Sequence, residues 1–207
     1  MINRKLRAVG NPDDRFNEDA LRIIRAVRFV NVINEKLTNK PKAESKKQKV
    51  IIQTEKLKTF DFDGGTWISL KKNFFLLQFV AQERVKEEIC KAFTDGNPFG
   101  FVALLDELHL LKYLFPALET NKHIDQPVRY HPFDVYTHTL LAVKELQTIN
   151  SDYLVRFGML YHDVGKADQY YMHQLPLDRE EVRKIFGTWL NHHISGIDHV
   201  KKDFAAL

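Results

Sequence analysis

The segment RFNEDALRIIRAVRF (residues 15–29) decides the fold, because its apolar residues recur at helical spacing. On a helical wheel, one face carries only aliphatic side chains: Ala20, Ile23, Ile24, Val27 and Val30. The opposite face carries an acid and three arginines at every third position: Asp19, Arg22, Arg25 and Arg28. The segment therefore predicts an amphipathic helix over residues 17–33, capped by Asn17.

Composition places the chain among ordinary globular proteins. Of its 207 residues, 44% are hydrophobic and 28% are charged, and we find neither a membrane-spanning run nor a secretory signal. A lone cysteine, Cys90, fits a reducing cytoplasm. The net charge of +4 favours an anionic partner such as nucleic acid, although many mildly basic soluble proteins share it.

Helical patterns dominate the rest of the chain, and the predicted class is all-α. Residues 1–37 hold the first helix, and residues 38–58 read as a solvated lysine-rich insertion. Residues 59–122 hold further helices, and a proline-containing linker introduces a second helical domain over residues 123–207. We expect one break near Phe79.

We expect four more helices after residue 100. The first is a single helix over FVALLDELHLLKYLFPAL, ended by Pro116. The others cover residues 134–147 and 152–164, and a last helix begins at about residue 179.

A row of three guanidinium groups repels itself unless solvent, carboxylates or phosphates balance it. The guanidinium fork also matches a phosphate or a base edge bidentately. Two interpretations follow for the row of Arg22, Arg25 and Arg28: a solvated, salt-bridged helix face, or a surface for a nucleotide.

The stretch VGNPDDRFNEDALRIIRAVRF (residues 9–29) resembles the neck of the class II tRNA nucleotidyltransferase and poly(A) polymerase family. The resemblance implies that Asp19 and Arg22 of the Glu-Asp-x-x-Arg motif read the base of an incoming nucleotide. An acid accepts from the exocyclic amine that C and A share, and arginine donates to a ring acceptor. Arg25 and Arg28 would make further nucleotide contacts, with Glu18 in support.

The stretch QERVKEEICKAFTDGNPFGFVALLDELHLLKYLFPAL (residues 82–118) resembles the next segment of that family, the body. Arg84 and Glu88 occupy the matching positions, and the resemblance implies that they brace the neck helix. The family often has arginine where this chain has Lys86. The alternative is a plain ion pair between Arg84 and Glu88 on an exposed helix face.

A second chemical cluster lies in HPFDVYTHTLLAVKEL (residues 131–146) and RFGMLYHDVGK (residues 156–166). Imidazole and carboxylate groups suit a divalent metal. The pattern of His138, His162 and Asp163 resembles the HD phosphohydrolase superfamily, which implies a site for Mn²⁺, Ni²⁺ or Mg²⁺. The alternative is a helical domain that keeps these residues for packing and binds no metal.

The HD pattern normally has a distal aspartate on a later helix, so we expect this HD-type domain to be incomplete. The segment NHHISGIDHVKKDF offers four candidates, none assigned as a ligand: His192, His193, Asp198 and Asp203. We assign no special role to four other histidines: His109, His123, His131 and His173.

Family members transfer nucleotides in a head domain, where an Asp-x-Asp pair holds Mg²⁺. DFDGG (residues 61–65) contains Asp-x-Asp, but it follows the neck helix and reads as a turn. We therefore expect this chain to lack the head and to be inactive in transfer by itself.

Three functions remain open at this point. The first is the C-terminal portion of a tRNA nucleotidyltransferase that adds or repairs the 3′ CCA end with CTP and ATP. The others are a metal-dependent HD-type phosphohydrolase and a non-catalytic RNA-binding partner of a separate head. The chain could act as a homodimer or with a separate head subunit. The neck pattern is common to enzymes that add CCA, CC, A or a poly(A) tail, so it does not identify the product.

Overall fold

The structure is a computed structural model that describes residues 4–38, 61–126, 132–149, 152–172 and 192–204. Helices dominate these residues, which confirms the all-α class. The expected lysine-rich insertion falls largely outside the described residues. The helices are α1 (Pro12–Glu18), α2 (Leu21–Thr38), α3 (Gly64–Asn73), α4 (Gln82–Asp95), α5 (Pro98–Glu107), α6 (Leu111–Leu114), α7 (Pro116–Glu119), α8 (Val135–Ile149), α9 (Tyr153–Tyr161), α10 (Lys166–Met172) and α11 (His192–Phe204).

Two parallel two-residue strands pair with each other: β1 (Lys5–Leu6) precedes α1, and β2 (Asp61–Phe62) precedes α3. The interpretation of DFDGG as a turn is wrong, because this segment supplies β2 and the start of α3. The Asp63 side chain caps α3 by accepting a hydrogen bond from the Gly65 amide (3.2 Å). No described helix combines the length and the apolar character that crossing a membrane requires.

The arginine segment forms two helices, so the prediction of one helix over residues 17–33 capped by Asn17 is wrong. The side chain of Asn11 caps α1 by accepting from the Asp13 amide (3.1 Å), and Pro12 occupies the first helical position. The backbone of Asp19 is extended, and its carboxylate accepts from the Leu21 amide (3.2 Å) at the start of α2. The acid of the motif therefore lies at the junction between two helices.

The aliphatic face of α2 is buried as predicted. Ile23, Ile24 and Val27 have no exposed surface, and α2 packs mainly against α4 and α5. A polar contact fixes the far end of this interface, because the Asn31 side-chain amide exchanges two hydrogen bonds with the backbone of Asn97 (2.8 and 2.9 Å). The α2 arginines consequently keep a fixed direction relative to the core.

The other helices differ from the prediction at their ends. The expected break near Phe79 is confirmed by a 3₁₀ segment over Phe74–Phe79 that precedes α4. The single helix ended by Pro116 is wrong: the left-handed backbone of His109 (φ 60°) ends α5, and Pro116 begins α7. The helix expected over residues 152–164 ends at Tyr161, followed by a turn.

One hydrophobic core continues from the first helices into α8 and α9. Phe93 of α4 packs against Phe157 of α9, with ring centroids 5.1 Å apart. The buried guanidinium of Arg156 donates to the backbone carbonyls of Phe93 (2.8 Å) and Gln147 (3.2 Å). The domain boundary at residue 123 stays a prediction, and this core crosses it.

Asp13 of α1 holds α3 through three hydrogen bonds, and they make the stability of this contact depend on pH. Donation by Lys72, Ser69 and Asn73 lowers the pKa of Asp13 from 3.8 to about 2. Because the folded-state pKa is the lower one, the stabilisation is full above pH 4 and is lost as the pH falls towards 2. We expect Asp13→Asn to lower the melting temperature at pH 7.

The difference between wild-type and Asp13→Asn melting temperatures should narrow as the pH falls from 4 towards 2. Asp14→Asn, on the same helix turn, is the control. A constant difference across this range would contradict the assignment of the charge effect to Asp13.

Candidate functional site

A groove opens where α1 and α2 meet the segment that follows β1. Its volume is about 320 Å³, and its apolar lining includes Phe16, Ala26 and Phe29. Four cationic side chains also line it: Arg7, Arg15, Arg22 and Arg25. Among the described residues that line the groove, none is acidic.

Glu18 supports two of the groove arginines from the side. Its carboxylate accepts from Arg22 Nη1 (2.7 Å) and from Arg15 Nη1 (2.8 Å). Hydrogen bonds from Arg22 and Arg15 lower the pKa of Glu18. One carboxylate thus forms ion pairs with two guanidinium groups, so the groove keeps an excess of positive charge.

Asp19 is oriented from two directions. Its Oδ2 atom accepts from Arg84 Nη2 of α4 (3.0 Å), and its Oδ1 atom accepts from the Leu21 amide (3.2 Å). A carboxylate offers about four acceptor positions, so this one keeps capacity for a further donor. The Asp19 side chain is 26% exposed.

Glu88 of α4 reaches the same arginine row from the core side. Its buried carboxylate accepts from Arg28 Nε (2.7 Å), and Arg25 Nε lies 3.9 Å away. The alternative ion pair between Arg84 and Glu88 is wrong, because each residue pairs with the α1–α2 segment instead.

Only some of the residues expected to bind a nucleotide line the groove. Arg22 and Arg25 line the groove, whereas Asp19 and Arg28 are not among its lining residues. Among the lining residues that sequence reasoning missed, three have side chains suited to a nucleotide: Arg7, Arg15 and Phe29. Phe29 had a signal, since it follows Arg22 by seven positions on one helix face. Arg7 had none, because its place depends on the pairing of β1 with β2.

The histidine cluster assembles around Asp163. Ligand atoms of His138, His162 and Asp163 all lie within 4.8 Å of one another. Asp163 Oδ2 lies 3.1 Å from His162 Nε2 and 3.5 Å from His138 Nε2. The same contacts satisfy the buried carboxylate of Asp163, which is also what a packing role without metal would require.

Two further residues join the cluster. His192 Nε2 of α11 lies 3.2 Å from Asp163 Oδ1, and Lys166 Nζ donates to Asp163 Oδ2 (2.6 Å). Gly165 permits this packing, because an added Cβ would stand 1.9 Å from the His192 carbonyl oxygen. Of the four C-terminal candidates, His192 is therefore the one that reaches the cluster, and Asp203 instead accepts from the Tyr161 hydroxyl (3.2 Å).

Hydrogen bonding sets the charge states at the centre of the cluster. Burial opposes ionisation of Asp163, but donation by His162 and Lys166 outweighs it and lowers the pKa of the carboxyl. Burial likewise opposes a charged His162, but the Asp163 carboxylate raises the pKa of the imidazole. His162 Nδ1 lies 2.7 Å from the Met159 carbonyl oxygen, so Nδ1 donates there and Nε2 faces the cluster.

Two described histidines to which we assign no role lie apart from these contacts. His109 and His123 occupy left-handed backbone positions in turns. His131 and His173 fall outside the described residues.

Comparison with known proteins finds one matching family model and several similar proteins. A family model described as "Probable RNA and SrmB- binding site of polymerase A" matches residues 59–122. The chain is 30% identical to a "Multifunctional CCA protein" of Shewanella denitrificans over 168 residues, 81% of this chain and 35% of that relative. A protein of the same name from Methylococcus capsulatus is 38% identical over 86 residues, 41% of this chain and 20% of the relative. The chain thus spans about a third or less of the length of these relatives.

The ion pair between Glu88 and Arg28 should contribute measurably to stability. Glu88→Gln keeps the shape but leaves a nearly buried guanidinium without its carboxylate, so we expect a loss of about 1–3 kcal/mol in unfolding free energy. Urea denaturation measures it. Glu87→Gln is the control, since that side chain is 70% exposed on the same helix. Equal losses in the two variants would contradict the proposed strength of the ion pair.

Proposed function

We propose that this chain provides nucleotide selection and RNA binding to an enzyme that builds or repairs the 3′ CCA end of tRNA. The proposal rests on family membership, because the chain contains a neck and body region of the tRNA nucleotidyltransferase and poly(A) polymerase family. CTP and ATP are the proposed substrates. We assign the Mg²⁺-dependent transfer step to a head domain, in the same chain or in a separate subunit. The groove lined by four arginines and no described acid is the observation that carries the proposal.

The arginine groove suits the phosphates of a nucleotide. Arg22 and Arg25 have side chains 40% and 45% exposed, so their guanidinium groups are open to a ligand. Two carboxylates, Glu18 and Glu88, pair with groove arginines, so the four guanidinium groups still outnumber the acids. An anion with several oxygens would balance this excess, and guanidinium groups bind such oxygens in pairs.

Base selection is proposed for Asp19 and Arg22. Asp19 lies at the junction of α1 and α2, three positions before Arg22 in the first turn of α2, and Arg84 fixes the direction of the Asp19 carboxylate. C and A both carry an exocyclic amine beside a ring acceptor, whereas U and G present the reverse arrangement. An acid beside an arginine therefore favours C and A.

RNA binding is proposed for the body helices. Residues 59–122 match a family model whose description includes RNA binding. Lysines of α3 and α6 lie beside aromatic rings: Lys71 is 4.8 Å from the ring of the partly buried Trp67, and Lys112 is 5.0 Å from the ring of the exposed Tyr113. Such mixed surfaces suit single-stranded RNA, and binding should weaken as salt rises.

Nucleotide selection can be measured by equilibrium binding to this chain. We expect CTP and ATP to bind more tightly than UTP and GTP, and Arg22→Ala to weaken CTP binding at least 10-fold, as losing a charge-assisted bidentate contact does. Asp19→Asn should reduce the preference for CTP over UTP more than it reduces affinity for triphosphate.

Lys201→Ala is the control for nucleotide binding, since this 72% exposed lysine lies on α11. Equal affinities for the four nucleotides in the wild-type chain would refute base selection by Asp19 and Arg22.

A second candidate function is metal-dependent phosphohydrolysis at the histidine cluster. The proximity of His138, His162 and Asp163 favours it. Two imidazoles and one carboxylate suit Mn²⁺ or Ni²⁺ better than Mg²⁺. The hydrogen bond from His162 Nδ1 to the Met159 carbonyl fits a ligating histidine, because it leaves Nε2 for a metal.

In this candidate function, His138, His162 and Asp163 would hold the ion, and a bound divalent metal would supply Lewis acidity and a water of lowered pKa. Lys166 and His192 would keep the carboxylate oriented through their contacts of 2.6 and 3.2 Å. Lys166 also donates to Gln126 (2.8 Å), so its ammonium is held beside the ligands.

Metal retention distinguishes the HD-type site from a packing cluster. We expect the wild-type chain to retain about one equivalent of Mn²⁺ or Ni²⁺ after dialysis, as measured by plasma mass spectrometry, and His162→Ala to lose it. His193→Ala, an exposed neighbour outside the cluster, should retain the metal. If the wild-type chain retains no metal, this candidate function fails while nucleotide selection stands.

A further inference from the structure

Phe29 is an aromatic residue that the hydrophobic core does not use. It lies on α2 one turn after Arg25, and its side chain lines the arginine groove. It is 41% exposed and is absent from the described core, although its neighbours Val27 and Val30 belong to that core. A half-exposed phenyl ring between arginines therefore needs another explanation than packing.

A fixed cation covers part of this ring. The Arg28 guanidinium carbon lies 4.5 Å from the centroid of the Phe29 ring, within cation–π range. Arg28 is only 12% exposed, and the buried Glu88 carboxylate holds its Nε atom at 2.7 Å. Glu88 thereby holds in place the cation that lies over the Phe29 ring beside the groove.

We propose that Phe29 is a stacking platform for an unpaired nucleobase in the arginine groove. This inference rests on the proposed function and assigns the base a contact that neither Asp19 nor Arg22 provides. Every nucleobase has a π face, and stacking on an aromatic side chain does not depend on the base edge. The other groove arginines, Arg7, Arg15 and Arg25, would bind the phosphates of the same nucleotide.

The groove has dimensions that suit this ligand. Arg22 and Phe29 are seven residues apart on one helix, which places their Cα atoms about 10 Å apart along the axis. A volume of about 320 Å³ falls in the range of small-molecule sites. The base belongs either to a free nucleoside triphosphate or to the 3′ end of an RNA strand, and both present the same chemistry to Phe29.

Binding measurements with base-bearing and base-free ligands test the platform. The ligands are CTP, inorganic tripolyphosphate and a short RNA with unpaired 3′ cytidines. We expect Phe29→Leu to weaken binding of CTP, of the RNA or of both by roughly 5- to 100-fold, the range of one lost base stack. Tripolyphosphate affinity should stay unchanged, and Phe29→Tyr should restore base-dependent binding.

Phe79→Leu is the matched control, since that phenylalanine is 77% exposed and lies outside the groove. Loss with CTP identifies a free nucleotide as the source of the base, and loss with RNA alone identifies the strand end.

Three outcomes would overturn the stacking role. If CTP binding depends on Arg22 but is the same in Phe29→Leu, and RNA binding is also the same, the platform is refuted while the proposed function stands. If tripolyphosphate affinity falls together with CTP affinity, Phe29 has a structural role instead. If the wild-type chain binds neither CTP nor the RNA, both the proposed function and the platform fail.

Discussion

The buried carboxylate of Glu88 on α4 binds the guanidinium group of Arg28 on α2, across the interface in which these two helices pack. Burying either charge alone would be costly, so the two helices are most stable where the partners meet. One turn earlier on α4, Arg84 binds Asp19 at the start of α2. These two ion pairs fix both the register and the rotation of α2. Other registers would leave a charge without its partner.

This constraint explains why the arginine row of α2 does not act as one uniform cationic face. Arg28 forms an ion pair with Glu88 and is nearly buried, whereas Arg22 and Arg25 face the groove. Arg7 and Arg15 come from outside α2 and complete the groove lining. A ligand would therefore encounter guanidinium groups whose positions are already determined by the core. Such preorganisation reduces the entropy lost on binding.

Local periodicity was enough to predict the buried face of α2, because Ile23, Ile24 and Val27 repeat at helical spacing. It was not enough for the start of the helix. Asn17 followed by two acids resembles a helix start, but Asn11 followed by Pro12 is the start that the chain uses. The groove could not be predicted at all, because Arg7 reaches it only through pairing between strands whose partner residues are 56 positions apart in sequence. The contact of His192 with Asp163 likewise depends on packing between distant segments.

The helix α4 contacts the surroundings of both candidate sites. Its first half braces the arginine row, and the backbone near its end accepts from Arg156 of α9. The turn after α9 carries His162 and Asp163. Contact through a common helix is not by itself allostery, which requires ligands to distinguish two arrangements of the connecting element. The closely packed rings of Phe93 and Phe157, together with the Arg156 hydrogen bonds, favour one arrangement of this joint. The shared core therefore acts as a scaffold that holds each cluster in place, and each ligand is expected to act on its own cluster.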